Sequence, residues 1–341
     1  MVFALIMLVL LGVSLLFNVG NFMRGFVPMK VSRAHAVGLR LEEVVTVDND
    51  ASLKIAVVDV EGLITSRAID QSGYNMVDVI KAQLKRAEDD DKVKAVILKV
   101  DSPGGEVLAS DEISRAISEF QKKPRGKPVV CSMGSLAASG GYYVSAPCRW
   151  IVANDLTITG SIGVILSTWN YRTLMDKVGV RPETFKSGKY KDMLSGTREP
   201  DSITQEERDM VQSLINETYG KFTNVVATGR SWARDANKDK GRSLSEGWPD
   251  YADGRILSGT EAFKLGFVDE LGSFDDAVKR AKTITGIREA NLIEYQQRFD
   301  LSDLFRLFGQ TDSKAVKVDL GLDVPKLQAG QLYFLSPTFL H

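Results

Sequence analysis

Between Pro128 and Tyr143 the chain runs Pro-Val-Val-Cys-Ser-Met-Gly-Ser-Leu-Ala-Ala-Ser-Gly-Gly-Tyr-Tyr, and this stretch leaves few choices of fold. An apolar strand over Pro128–Met133 turns at Gly134 and Ser135, then enters a helix whose opening, Ala137–Gly141, has almost no side chains. That opening lets other backbone approach closely. It also offers amide N–H groups to negative charge as it develops. Ser139 sits there. Two readings fit it: a nucleophile at a strand-to-helix turn, or a small-residue face that only packs a helix on a sheet.

The flanking sequence repeats the strand-helix rhythm. Leu53–Val60 and Val93–Val100 are β-branched runs of the kind buried in a parallel sheet. Helical spacing predicts helices over Met76–Ala87 and Val107–Gln121, with a third over Ala137–Ser145. Further strands are predicted at Trp150–Ala153, Val164–Thr168 and Glu183–Lys186, a long helix over Ile203–Thr228, and two shorter helices within Leu257–Thr285. The pattern is that of an α/β fold whose helices cover a largely parallel sheet. There is no internal repeat.

Residues 2–17 carry no charge, and weaker apolar character continues to Phe26. Such a run is near the lower limit for a membrane span. It lacks the basic start and small-x-small site of a cleaved signal peptide. The expected organisation is a transmembrane anchor over 1–26, a connector over 27–52, a catalytic domain over 53–300 and a tail over 301–341. Arg24, Lys30 and Arg33 follow the span while no Lys or Arg precedes it, so the positive-inside rule alone puts the body in the cytoplasm.

The possible chemistry narrows by exclusion. The two histidines are His35, just past the apolar segment, and His341, the last residue, so neither is placed to serve Ser139 as a triad base. With Cys131 and Cys148 the only cysteines and no His-Glu-x-x-His helix, no protein-bound zinc is expected. Those two cysteines can form one disulfide only if the body lies outside the cytoplasm, and Cys131 reads equally as a small buried strand residue. The net charge of −1 gives no electrostatic case for nucleic acid. A serine activated by lysine or by a carboxylate remains.

Lys191, in Ser187-Gly-Lys-Tyr-Lys-Asp192, is one such base; Lys186 and Lys189 stand beside it, and sequence alone does not rank the three. A lysine base must be neutral, which requires burial or nearby positive charge, and the cluster with Arg198 would supply part of that field. Asp101-Ser-Pro-Gly-Gly105 ends a predicted strand. Its glycines either make a simple turn or present an N–H that joins Gly140 in an oxyanion hole.

Taken together, Asp101–Gly105, Met133–Tyr143, Leu156-Thr-Ile-Thr-Gly-Ser161-Ile-Gly-Val164, Lys186–Asp192 and Gly254-Arg-Ile-Leu-Ser-Gly259 resemble the signal peptide peptidase A family, over about residues 52–285 and in order. The resemblance implies a Clp-protease/crotonase-like fold and a membrane-anchored serine endopeptidase without cofactor. Ser139 would be the nucleophile, Lys191 the base and Ser161 a hydroxyl orienting the lysine amine. Gly104 or Gly105, with Gly140, would form the oxyanion hole. Substrates would be signal-peptide remnants and other apolar peptides. The body would lie outside the bacterial cytoplasmic membrane, which a start lacking a few basic residues would reconcile with the charge pattern. Length resembles the short, single-repeat form, in which a closed ring would set each serine against a neighbour's lysine. A crotonase-like acyl-CoA enzyme and a non-catalytic oligomeric membrane scaffold are the alternatives.

Overall fold

The computed structural model describes residues 39–68, 74–238, 240–297 and 333–335. The expected anchor over 1–26, with its orientation, lies outside the described residues, as do most of the expected tail and part of the connector. Among the described residues no helix is long and apolar enough to cross a membrane.

One ten-stranded sheet contains β1 (Leu41–Val47), β2 (Lys54–Ile64), β3 (Val93–Glu106), β4 (Val129–Ala138), β5 (Trp150–Ala153), β6 (Ile158–Gly160), β7 (Ile256–Ser258), β8 (Glu270–Leu271), β9 (Asn291–Gln297) and β10 (Tyr333–Leu335). Its main path is β1-β9-β2-β3-β4-β5-β8. Every pairing along that path is parallel except β1 with β9 at the edge.

The helices are α1 (Met76–Asp89), α2 (Val107–Lys122), α3 (Gly140–Ser145), α4 (Arg172–Lys177), α5 (Gln205–Ala236), α6 (Gly259–Leu265) and α7 (Phe274–Thr285). Alternation along β2 and β3 explains the two layers they make. Ala56, Val58, Val96 and Leu98 face a core shared with α1, α2 and α3, while Ile55, Ala95 and Ile97 face Ala277 and Ala281 of α7. A strand covered on both faces needs apolar residues at every position, which is why these runs read as continuous rather than alternating. Reciprocal capping boxes start α1 (Asn75 and Asp78), α5 (Thr204 and Glu207) and α6 (Ser258 and Glu261).

Two strands outrun their sequence-predicted ends. β3 continues through Asp-Ser-Pro-Gly-Gly because β2 stays beside it, and a register shift between Glu61 and Leu63 accommodates the proline, which has no N–H to give. β4 continues through Gly134 and Ser135 because it changes partner, from β5 at Val130–Met133 to β6 at Leu136–Ala138. The helix therefore begins at Gly140 rather than Ala137.

The strands predicted at Val164–Thr168 and Glu183–Lys186 do not form, apart from a single bridge at Ile165. Residues between Ser161 and α5 run out as an arm in which α4 buries nothing. A β-branched sequence becomes a strand only where a neighbouring edge is present. Conversely, Tyr333–Leu335, from the stretch read as a tail, is a strand of the sheet.

Candidate active site

The partner change of β4 builds the site. Ala138 pairs in parallel with Gly160, so Ser139 and Ser161 leave the sheet side by side. Both adopt positive φ, 53° at Ser139 and 49° at Ser161, a region that side-chain-bearing residues rarely enter. Such strain costs of order 1–3 kcal/mol per residue and persists only where surrounding structure enforces it. Here two backbone bonds do so: Ser139 N–H donates to Gly160 O (2.8 Å) and Ser161 N–H to Arg255 O (2.7 Å). The Gly254–Gly259 motif thus supplies β7, which holds β6 and Ser161 in place. Ser139 is 1% exposed, and its Oγ is buried without a hydrogen-bond partner.

The glycines converge on this serine. A Cβ on Gly140 would lie 2.7 Å from Ser110 Oγ and 3.0 Å from both Gly104 Cα and Gly105 N, so no larger residue fits without displacing backbone. Gly104 has φ 102° and its own absent Cβ would sit 2.6 Å from Gly140 N. The three glycines named from sequence are therefore brought together. Ser102 refines their roles: its hydroxyl donates to Gly62 O (2.6 Å) and accepts the Gly104 N–H (3.1 Å). The Gly104 N–H is thus engaged within the chain. Asp101 accepts the Leu136 N–H at 3.1 Å and so fixes β4 where it leaves β5.

Lys191 is not brought to Ser139. It is exposed on the arm, and the serine hydroxyl has no partner. Its neighbours are committed elsewhere. Lys186 bridges Asp192 at 2.6 Å, and Lys189 bridges Glu206 at 2.8 Å, which raises the Lys189 ammonium above its ordinary range. Arg198 bridges Glu207 at 2.5 Å, holding that carboxyl down to about 2. The expected field of positive charge around Lys191 is thus neutralised pair by pair within the chain. Among the described residues Lys191, unlike Lys186 and Lys189, has no carboxylate partner.

The arm is apolar at its surface, with Trp169 81% and Phe185 89% exposed, and Leu174 and Val178 exposed as well. A cavity of about 280 Å³ opens beneath it, between Trp169, Leu194 and Val211.

Beneath Ser139, α3 is anchored by groups that the sequence pattern does not single out. Arg230 of α5, 1% exposed, donates to the Ala146 (3.3 Å) and Cys148 (2.9 Å) carbonyls and pairs with buried Asp269. Asp269 also accepts the Ile151 N–H at 2.8 Å. Tyr142 donates to Phe267 O at 2.9 Å, and burial pushes its phenol far above the ordinary range. The Gly266-Phe267-Val268-Asp269 segment, between the two shorter helices predicted within Leu257–Thr285, is the available signal. Cys131 and Cys148 are free, buried thiols, and Cys131 Sγ donates to Ser145 Oγ at 3.3 Å. Among the described residues no group of three or more His, Cys, Asp or Glu could hold a metal ion.

Residues 121–288 match the family described as "Peptidase family S49". A protein of Synechocystis sp. named as a candidate protease is 40% identical over 76% of this chain and 84% of its own length. A candidate signal peptide peptidase SppA of Enterococcus faecium is 37% identical over 71% of this chain and 67% of its own. Protease 4 of Haemophilus influenzae is also 37% identical over 71% of this chain, which spans 36% of that longer protein.

Proposed function

Given that this chain belongs to peptidase family S49, the signal peptide peptidase A family, and is a serine peptidase, we propose that Ser139 is its nucleophile and that Lys191 of a neighbouring copy is the general base. The observation that carries this is the state of Ser139: buried, strained at φ 53°, flanked by Ser161 and the glycines, and without a partner for its hydroxyl. Among the described residues no group hydrogen-bonds its hydroxyl. The apolar surface of the arm that carries Lys191 suits burial against a second copy, which would also strip water from the lysine and favour its neutral form.

The neutral Lys191 amine takes the Ser139 hydroxyl proton as Oγ bonds to the peptide carbonyl carbon. Gly140 and Gly105, or Gly104 once Ser102 lets go, hold the oxyanion. The lysine ammonium returns the proton to the departing amine as the C–N bond breaks. Water, deprotonated by the same amine, then hydrolyses the acyl-enzyme. Ser161, one residue past the Gly160 that holds Ser139, would orient the amine.

In this reading the fold is Clp-protease/crotonase-like and the copies form a closed ring that admits extended peptides and excludes folded proteins. The enzyme is a membrane-anchored endopeptidase with an extracytoplasmic body acting on signal-peptide remnants and other apolar peptides. The protease names of the relatives favour it over an acyl-CoA enzyme or an inert scaffold.

Mixing inactive Ser139→Ala and Lys191→Ala proteins under exchange conditions tests the shared site. Recovery of part of the peptidase activity is expected, since some interfaces then pair an intact serine with an intact lysine. No recovery despite demonstrated exchange means that each chain builds its own dyad.

A further inference from the structure

Ser110, in the first turn of α2, is fully buried, and its Oγ has no hydrogen-bond partner. It is the atom nearest to where a Cβ on Gly140 would lie, at 2.7 Å, and Gly104 Cα and Gly105 N come next at 3.0 Å. Ser110 Oγ and the glycine loop therefore crowd one point beside Gly140. Among the described residues few buried side-chain atoms lack a partner, and two of them adjoin this glycine: Ser139 Oγ just before it and Ser110 Oγ packed on it.

Packing explains the size of Ser110 but not its hydroxyl. The close approach of α2 to α3 needs a small residue, and an alanine such as the neighbouring Ala109 would meet that need with no polar atom to satisfy. Serine within a helix commonly returns its hydroxyl to the carbonyl four residues back, here that of Glu106, and Ser110 does not. A buried hydroxyl without a partner forfeits the bonds it makes in water, so interiors hold few of them, and a catalytic role is among the reasons one is kept. The other hydroxyl of the loop is in the opposite state. Ser102 donates to Gly62 O and accepts the Gly104 N–H, which ties up a group the proposed oxyanion hole needs.

We propose that Ser110 is a positioning residue for the oxyanion hole: as the tetrahedral intermediate forms, its hydroxyl bonds the Gly104–Gly105 peptide and holds the loop in a form whose Gly104 N–H has left Ser102 for the oxyanion. The inference rests on the assignment of Ser139 as the peptidase nucleophile. Gly104, at φ 102° and without a Cβ, can make this rotation where another residue could not. A hydroxyl can either accept the N–H of that peptide or donate to its carbonyl. The two serines thus serve the loop in turn, Ser102 before the reaction and Ser110 during it. Because the Ser110 bond forms only with the intermediate, it lowers the barrier without tightening substrate binding.

The test uses the full-length protein, an apolar peptide substrate, and an apolar peptide aldehyde with its matching alcohol as inhibitors. On the aldehyde, Ser139 Oγ bonds to the carbonyl carbon, the hydroxyl proton passes to the lysine amine and the carbonyl oxygen becomes the oxyanion; the alcohol binds without this step. Ser110→Ala should lower kcat by about tenfold with KM unchanged, weaken inhibition by the aldehyde by the same factor and leave the alcohol unaffected. Its melting temperature should not fall, since the fold at rest loses no bond. Ser110→Cys, which fills the same space with a weaker donor and acceptor, should lie between wild type and Ser110→Ala. An unchanged kcat, or an unchanged ratio of aldehyde to alcohol affinity in the folded variants, would overturn the role and leave Ser110 as a small residue at a helix crossing, with Ser139 still the nucleophile. An aldehyde that binds Ser139→Ala as tightly as wild type would instead overturn Ser139 itself, a result that neither Ser110 variant can produce.

Discussion

The turn that carries Ser139 and the arm that carries Lys191 belong to one proposed site, yet they are built in opposite ways. Around Ser139 every residue from Ala137 to Cys148 is buried, and two left-handed serines are held by bonds from β6 and β7. Between Val164 and Thr204 almost nothing is buried, Trp169 and Phe185 face outward, and the charges pair among themselves. The first region is fixed by the chain's own sheet. The second exposes apolar side chains and buries almost none, as the proposed shared site requires. Strain at a nucleophile can be maintained only by a packed surround; a base delivered by a neighbour can sit on a segment that finds its packing later.

Ser139→Ala and Lys191→Ala carry the largest expected effect. Each should lower kcat/KM by at least about 10³-fold, and the double variant should be hardly worse, because the two groups act as a unit. Thermal melting should be unchanged for both. Substantial activity in Lys191→Ala, or its loss in Lys189→Ala instead, would break the comparison by putting the base elsewhere.

The buried anchor comes next. Arg230→Ala leaves Asp269 charged and unpaired in the interior, so denaturant unfolding should show a loss of about 3–5 kcal/mol. By contrast Lys186→Ala, which breaks a half-exposed pair on the arm, should cost at most about 1 kcal/mol. Equal costs would mean that the two regions are not differently stabilised.

Gly140→Ala should reduce kcat by about 10²-fold with KM little altered, because the added methyl displaces the Gly104–Gly105 backbone proposed to hold the oxyanion. Steady-state kinetics on an apolar peptide would read it.

The smallest effect is electrostatic. Glu207, held at about 2 chiefly by Arg198, ties the arm's C-terminal end to α5. Because its folded-state value lies below the usual carboxylate range, its contribution is complete above about pH 4.5 and is lost as the pH falls toward 2. Hydrogen-exchange protection of residues 192–210, measured relative to the intrinsic exchange rate at each pH, should therefore fall on acidification before that of the β4–α3 region. Simultaneous loosening of both regions would contradict the separation.

The local grammar of this protein is written in its sequence. Continuous apolar, β-branched runs place β2, β3, β4 and β5, since a strand buried on both faces needs apolar residues throughout, and helical spacing predicts the helices between them. The Met133–Tyr143 stretch marks Ser139, and glycine spacing marks the partners that crowd it. What the sequence could not show depends on which edges meet. β3 and β4 outrun their predicted ends because β2, β6 and β10 lie alongside, and Val164–Thr168 meets the edge of β10 at Ile165 alone, too briefly to become a strand. Ser102 occupying the Gly104 N–H, Arg230 clasping the end of α3, and Phe334 between Tyr143 and Phe222 all join residues far apart in the chain. Periodicity reports which face of an element is apolar; only the assembled sheet decides what that face meets.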